Sequence, residues 1–112
     1  MPQQKELLMS ELLEFYSSLL TDKQRETLDM YYNLDYSLAE IAENTGTSRQ
    51  AALDSLKRGE AHLRQLEHQL GLRSAFHKTY EAIYVIEGLI ARGVHTGELL
   101  YAADILRSIW ED

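Results

Sequence analysis

The proline content constrains this chain more than any other feature of its sequence. The single proline is Pro2, so no interior residue breaks a helix by removing a backbone N–H and clashing with the preceding turn. Apolar residues recur with a period near 3.6 almost throughout, which indicates amphipathic helices. Residues 82–86 are β-branched and aromatic, as strands often are, but no other segment offers them a strand partner. The sequence therefore predicts an all-α fold.

The first predicted helix covers residues 7–20. Polar side chains fall on one side of this segment and apolar side chains on the other. An amphipathic helix of this kind buries its apolar stripe against the core. The side chains predicted to face the core are Leu8, Leu12, Phe15, Tyr16 and Leu19.

Two capping boxes predict where the next two helices begin. Thr21 is followed by Gln24, and Ser37 is followed by Glu40. In each pair a hydroxyl caps the first turn while the residue three positions later reaches back to the capping residue. Residues 33–36 are the predicted break between these two helices.

A long fourth helix is predicted after the turn at Gly46, with Ser48 as its N-cap. Its apolar residues follow steps of 4, 3, 4, 3 and 4, which is a heptad stripe. The first half of the stripe includes small residues, which allow another helix backbone to approach closely. Gly71 is expected to end the helix. The stripe consists of Ala52, Leu56, Gly59, Leu63, Leu66 and Leu70.

The last 42 residues predict two more helices, at about residues 74–91 and 96–110, with Gly93 between them. A chain of 112 residues fits one domain, since domains are most often about 100–150 residues long. We therefore expect a single all-α domain over residues 1–112. It comprises a helix-turn-helix core at residues 20–70 and a C-terminal helical hairpin at residues 71–112.

Residues 38–56, LAEIAENTGTSRQAALDSL, match the pattern of a helix-turn-helix. The first helix of such a motif needs an apolar residue facing the core, here Ile41, and a small residue where the helices cross, here Ala42. The sharp turn favours glycine, here Gly46, and the second helix needs a small residue facing back, here Ala52. All four residue types occur at the required spacing.

The second motif helix begins with polar residues where a recognition helix contacts bases. Arginine pairs bidentately with guanine and glutamine with adenine, so Arg49 and Gln50 could read base edges. Lys57 and Arg58 could contact phosphates, and Leu53 a thymine methyl group or a protein. Alternatively, these side chains form an ordinary solvated surface, because a fold does not fix a function. The candidate nucleic-acid-binding residues are Ser48, Arg49, Gln50, Leu53, Asp54, Lys57 and Arg58.

The charge balance limits how this chain could bind nucleic acid. Its formal net charge is −7, so its own field repels phosphate and disfavours non-specific coating of DNA or anionic membrane. Residues 48–64 carry four basic and two acidic side chains, a local excess of two positive charges. Asp54 opposes a tight fit, because phosphate repels a carboxylate. Any DNA contact is therefore expected to be local.

Enzymatic and metal-binding functions find no support in the sequence. There are no cysteines, and the four histidines lack the spacing of a metal site. No HExxH, GxGxxG or Walker pattern is present. The longest apolar stretch, residues 82–91, is too short to span a membrane and contains Glu87. The N-terminal segment has the pattern of an amphipathic helix rather than a signal peptide. We expect a cytoplasmic protein without catalysis, metal or cofactor.

Residues 20–58, LTDKQRETLDMYYNLDYSLAEIAENTGTSRQAALDSLKR, resemble region 4 of bacterial sigma factors. Within that superfamily, LLEFYSSLLTDKQ and DYSLAEIAE…SRQA most resemble the YlxM-like family of helix-turn-helix proteins. The resemblance covers roughly residues 7–70 and implies an all-helical, cytoplasmic protein. It also implies a link to the signal recognition particle pathway, because the family's genes tend to neighbour that of the particle's GTPase.

Two functions from different classes remain open. The first is a regulator that binds double-stranded DNA with Arg49, Gln50 and Lys57. The second is an adaptor that binds a protein or RNA component of the signal recognition particle, without DNA binding. Apolar residues on more than one face of residues 99–110 favour a homodimer. In the alternative, the C-terminal hairpin covers the leucines of the fourth helix within one chain.

Overall fold

The computed structural model describes the backbone of residues 4–111 and the side chains of residues 7–111, so Pro2 lies outside the described residues. No strand occurs in this part of the chain, and the predicted all-α fold is confirmed. The chain divides into two compact units at the boundary between Leu70 and Gly71. Their grouping into one domain stays a prediction. The helices are α1 (Gln4–Tyr16), α2 (Asp22–Leu28), α3 (Leu38–Thr45), α4 (Arg49–Leu70), α5 (Leu72–Ala91) and α6 (Thr96–Trp110).

Both predicted capping boxes are formed. The Thr21 hydroxyl accepts a hydrogen bond from the Gln24 N–H at 3.1 Å, and the Gln24 side-chain oxygen accepts one from the Thr21 N–H at 3.2 Å. Ser37 and Glu40 make the same two bonds at the start of α3, at 3.1 and 3.0 Å. These reciprocal bonds satisfy backbone donors that a helix start leaves without an intrahelical acceptor.

The end of α1 differs from the predicted helix. Leu12 and Tyr16 are buried as expected, but Leu19 is 52% exposed and Leu20 takes the buried position. The cause is a 3₁₀ turn at Ser17–Leu19, because a turn of three residues rotates the next side chain away from its α-helical direction. The core around α1 also contains two side chains that the sequence did not indicate, Met9 and Leu13.

Helix α4 packs closely against α2 at Gly59, as its small residues predicted. A Cβ atom at Gly59 would lie 2.9 Å from the Leu28 Cδ1 atom, which is shorter than a van der Waals contact. Leu28 is fully buried, and Leu56 and Leu63 of the heptad stripe belong to the same core cluster. The stripe reaches the surface at its end, where Leu70 is 52% exposed. In the first unit α1, α2 and α3 therefore all pack on α4.

The two motif helices meet in a small core of their own. Ile41, Ala42 and Ala52 are buried there, as the helix-turn-helix pattern required. Gly46 has φ 68° and ψ 32°, the left-handed conformation. The Thr47 N–H donates to the Ala42 carbonyl at 2.9 Å, which is the long bond of a Schellman turn. The predicted turn at Gly46 is thus confirmed.

The second unit is a helical hairpin of α5 and α6. Residues 82–86 are helical, as predicted, and α5 begins at Leu72 rather than at residue 74. The Trp110 indole N–H donates to the Thr79 hydroxyl at 2.7 Å and ties the end of α6 to α5. Among the described residues 71–111, three hydrophobic residues are buried: Ala82, Leu89 and Ala102.

Candidate nucleic-acid interface

Hydrogen bonds of hydroxyl groups stabilise the turn between α3 and α4. The Thr45 hydroxyl donates to the Ile41 carbonyl at 2.8 Å and lies 2.9 Å from the Thr47 hydroxyl. The Ser48 hydroxyl accepts from the Ala51 N–H at 3.0 Å, which confirms Ser48 as the N-cap. Because these bonds join groups within the eleven residues from Ile41 to Ala51, the local sequence determines the direction in which α4 continues from the turn.

The predicted site residues form two neighbouring rows on α4. Arg49, Leu53 and Lys57 follow one another at intervals of four residues, and so do Gln50, Asp54 and Arg58. Residues four apart share a helix face, and nine residues extend about 14 Å along the helix axis. That length is comparable to the width of a B-DNA major groove, about 12 Å. All are exposed except Leu53, which is half-buried.

The cations of this face are available to an external ligand. The side chains of Arg49, Lys57 and Arg58 make no hydrogen bond or ion pair to any described residue. The Gln50 amide, in contrast, donates to the Asp54 carboxylate at 3.0 Å. Reading an adenine with Gln50 therefore requires this bond to open or to be shared. The structure supports the predicted exposure of Arg49 and Gln50, while Asp54 competes for the Gln50 amide.

Two further carboxylates of α4 are bonded to tyrosines of the core. The Tyr16 hydroxyl donates to Glu67 Oε1 at 2.6 Å, and the Tyr32 hydroxyl donates to Glu60. Burial and this hydrogen bond to the carboxylate raise the pKa of Tyr32 well above its ordinary value. Both acids are thereby held near the α1 and α2 side of α4, so Asp54 is the one carboxylate within the rows of cations.

Lys23 is a cation near the motif that the sequence reasoning missed. It is exposed on α2 and lines a groove together with Thr47 and Ala51 at the start of α4. It lies 26 residues before Arg49, and no local pattern connects the two. The groove also contains Glu26, so Lys23 does not by itself make this region basic.

Acidic side chains of α3 limit the basic surface. Glu40 and Glu43 are both exposed on the first motif helix. Hydrogen bonds from the backbone and side chain of Ser37 lower the pKa of Glu40, so it stays charged at neutral pH. The surface of the motif thus combines cations on α4 with carboxylates on α3.

Within residues 4–111, no group of three or more His, Cys, Asp or Glu side chains could hold a metal ion. None of the helices in that range combines the length and the apolar content needed to cross a membrane.

Two helices joined by a left-handed glycine turn, with an exposed polar start on the second helix, define a helix-turn-helix protein. Comparison with known protein families leads to the same class. The model of the family UPF0122, described as "Putative helix-turn-helix protein, YlxM / p13 like", matches residues 3–93. This chain therefore belongs to the UPF0122 family, which confirms the resemblance to the YlxM-like proteins.

Curated relatives cover most of the chain. A UPF0122 protein of Halalkalibacterium halodurans is 39% identical over 105 residues, which are 94% of this chain and 96% of the relative. One from Geobacillus kaustophilus is 43% identical over 89 residues, 80% of this chain and 81% of the relative. One from Streptococcus pyogenes serotype M5 is 43% identical over 101 residues, 90% of this chain and 87% of the relative.

Proposed function

We propose that this protein is a non-enzymatic, cytoplasmic regulator that binds double-stranded DNA through the exposed start of α4. The single observation that carries the proposal is the pair of side-chain rows beginning at Arg49 and Gln50. They are exposed, they extend over about the width of a major groove, and they include three cations without a described partner. The resemblance to sigma factor region 4 supports the same orientation.

Each side chain has a role that follows from its position. Arg49, in the first turn, pairs with a guanine edge, and Gln50 pairs with adenine once it leaves Asp54. Leu53 contacts a thymine methyl group. Lys57 and Arg58 neutralise phosphates, and Ser48 adds a polar contact at the helix start, where backbone N–H groups favour an anion.

The protein acts as a homodimer in this proposal. Two copies present two recognition helices, so that two half-sites are bound at once and twice as many counterions are released. Lys57 and Arg58 of the two copies give four phosphate-neutralising contacts, for which affinity falls about 10²-fold between 50 and 200 mM salt.

The test measures binding of the full-length protein to sheared genomic DNA at 50 to 200 mM salt. Arg49→Ala is expected to weaken binding at least about fivefold, since a good base contact contributes about 1–3 kcal/mol. Arg92→Ala is the matched control, because it removes the same charge from an exposed position at the end of α5. Absence of binding at 50 mM salt, or equal losses for both variants, would refute the DNA proposal.

Asp54 gives a second test with the opposite sign. Asp54→Ala removes a carboxylate from the cationic rows and releases the Gln50 amide, so DNA binding should strengthen about three- to tenfold at low salt. Glu67→Ala is a comparison on the same helix, because that carboxylate is bonded to Tyr16 instead. An unchanged or lower affinity for Asp54→Ala would place the DNA contact elsewhere.

A second candidate function is an adaptor that binds a component of the signal recognition particle. The net charge of −7 and the exposed Glu40 and Glu43 on α3 favour it, because they oppose phosphate and suit a basic protein surface. Affinity capture with the full-length protein, before and after nuclease treatment, separates the two. A particle protein retained after nuclease supports the adaptor, and its loss in the Glu40→Gln/Glu43→Gln variant identifies the surface.

A further inference from the structure

The hairpin of α5 and α6 has an open apolar groove along one of its faces. Ala82 of α5 and Ala102 of α6 are buried in it, and because both are small, the two helices leave a cavity of about 280 Å³. The groove is also lined by Val85, which is 52% exposed, and Ile105, which is 43% exposed. Tyr101, at 69% exposed, lies one turn before Ile105 on the same face of α6. The groove therefore presents apolar side chains to solvent on both helices.

Opposite charges lie near the two ends of this groove. Lys78 lines the groove next to Thr79, which is bonded to Trp110 at the end of α6. Glu98 lies near the turn, in the first turn of α6 and two turns before Ile105 on the same face. The side chains of Lys78 and Glu98 are exposed and make no hydrogen bond or ion pair to a described residue. Both are thus available to a partner that lies along the groove.

We propose that the groove binds the same groove of a second copy of this chain, with the two hairpins face to face and antiparallel. The proposal rests on the dimer of the proposed function and specifies its interface. The two-fold axis passes at the level of residue 103, so that Tyr101 of one copy lies over Ile105 of the other at the mouth of the groove. Tyrosine side chains that fill a pocket of the partner contribute much of the binding energy in protein interfaces.

The charges near its ends determine the direction. Lys78 and Glu98 lie about equally far from the axis on opposite sides of it, so antiparallel hairpins bring Lys78 of each copy to Glu98 of the other. Parallel hairpins would instead place Lys78 opposite Lys78 and Glu98 opposite Glu98. Glu81, on the outer edge of the groove, comes level with Tyr101 of the second copy, whose hydroxyl can donate to the carboxylate. Complementary charges of this kind fix the register of an interface and disfavour the alternative.

The available area meets the requirement of a stable dimer. Helix α5, with 20 residues, is about 30 Å long, and α6, with 15, is about 22 Å. At about 10 Å of width per helix, one face of the hairpin offers about 500 Å². Two copies bury about 1,000 Å² in total, which is the lower bound for a specific interface.

Sedimentation of the full-length protein between 1 and 100 µM tests the interface. The wild-type chain is expected to be a dimer, and Ile105→Glu should raise the dissociation constant at least about 100-fold, since it places two carboxylates near the axis. Tyr101→Ala, which removes an exposed side chain and spares the fold, should raise it about tenfold.

Leu100→Glu is the matched control, because Leu100 is 63% exposed and lies about 140° around α6 from Ile105. It should leave the dissociation constant within about twofold of the wild-type value. Circular dichroism checks that each variant keeps its helix content. Equal losses for Leu100→Glu and Ile105→Glu would overturn the proposal.

Charge reversal tests the direction. At 50 mM salt, Lys78→Glu or Glu98→Lys alone should raise the dissociation constant about fivefold, since each reversal turns two attractive pairs into repulsive ones. The double variant Lys78→Glu/Glu98→Lys should return to within about twofold of the wild-type value. Single reversals without effect, or a double variant that stays weak, would overturn the antiparallel arrangement.

The same measurements separate this interface from the DNA-binding function. A wild-type monomer at 100 µM, or a dimer that Ile105→Glu leaves intact, would overturn the interface. A dimer that Ile105→Glu breaks and that does not bind DNA would refute only the DNA function. DNA binding by a protein that stays monomeric would refute only the interface.

Discussion

The left-handed turn at Gly46 gives the sharpest stability prediction. A Cβ atom at this position meets nothing within 4 Å, so a substitution costs only backbone strain. An L-residue in this conformation costs about 1–2 kcal/mol. We expect Gly46→Ala to lower the free energy of unfolding by about 1 kcal/mol and Gly46→Val by about 2 kcal/mol, since a β-branched side chain fits least well. Gly46→Asn should cost less, because asparagine tolerates the left-handed region.

Urea and thermal unfolding followed by circular dichroism at 222 nm measure these differences. For a domain of 60–100 residues, 1 kcal/mol shifts the Tm by about 4–8 °C, so valine should lower it by roughly 10 °C. Gly88→Ala is the matched control, because Gly88 lies inside α5 with open space around it. Gly88→Ala should raise the free energy of unfolding by about 0.5–1 kcal/mol. A Gly46→Val variant with an unchanged Tm, or Gly46→Asn as unstable as valine, would refute the strain argument.

Three further predictions concern the packing and capping of the first unit. The bonds from Ser37 lower the pKa of Glu40, so this contribution to stability is present above the carboxyl's unfolded pKa and is lost as the pH falls through its folded value. Between pH 7 and pH 3, the free energy of unfolding should fall less for Glu40→Gln than for the wild-type protein. Burial and the Glu60 carboxylate raise the pKa of Tyr32. The contribution of the Tyr32 hydroxyl to the free energy of unfolding is therefore complete below about pH 10 and declines at higher pH. Tyr32→Phe should lower the free energy of unfolding by about 1 kcal/mol at pH 7 and should make it fall less steeply above pH 10. The same fall in both proteins above pH 10 would contradict this. Leu63 is fully buried, so Leu63→Ala should cost about 2–5 kcal/mol in urea unfolding, and a loss below 1 kcal/mol would contradict its place in the core.

The sequence alone determined where the helices of the motif begin and end. The boxes at Thr21 and Ser37, the glycine turn and the Ser48 cap depend on groups within about five residues of one another. Such interactions are set by side-chain chemistry and backbone geometry, which the order of residues already contains. The exposure of Arg49 and Gln50 followed for the same reason, because Ala52 fixed which face of α4 turns inward.

Only the tertiary structure decided which side chains meet across the fold. The bond from Tyr16 to Glu67 joins residues 51 positions apart, and the one from Tyr32 to Glu60 joins residues 28 apart. Lys23 likewise comes beside the start of α4 only through the packing of α2. Helical periodicity relates residues three or four positions apart. It shows which face of a helix is apolar, but it does not show which other helix packs against that face. It therefore showed that residues 99–110 are apolar on more than one face, whereas the packing of α5 on α6 decided that Ala102 is buried while Leu100 and Tyr101 are exposed.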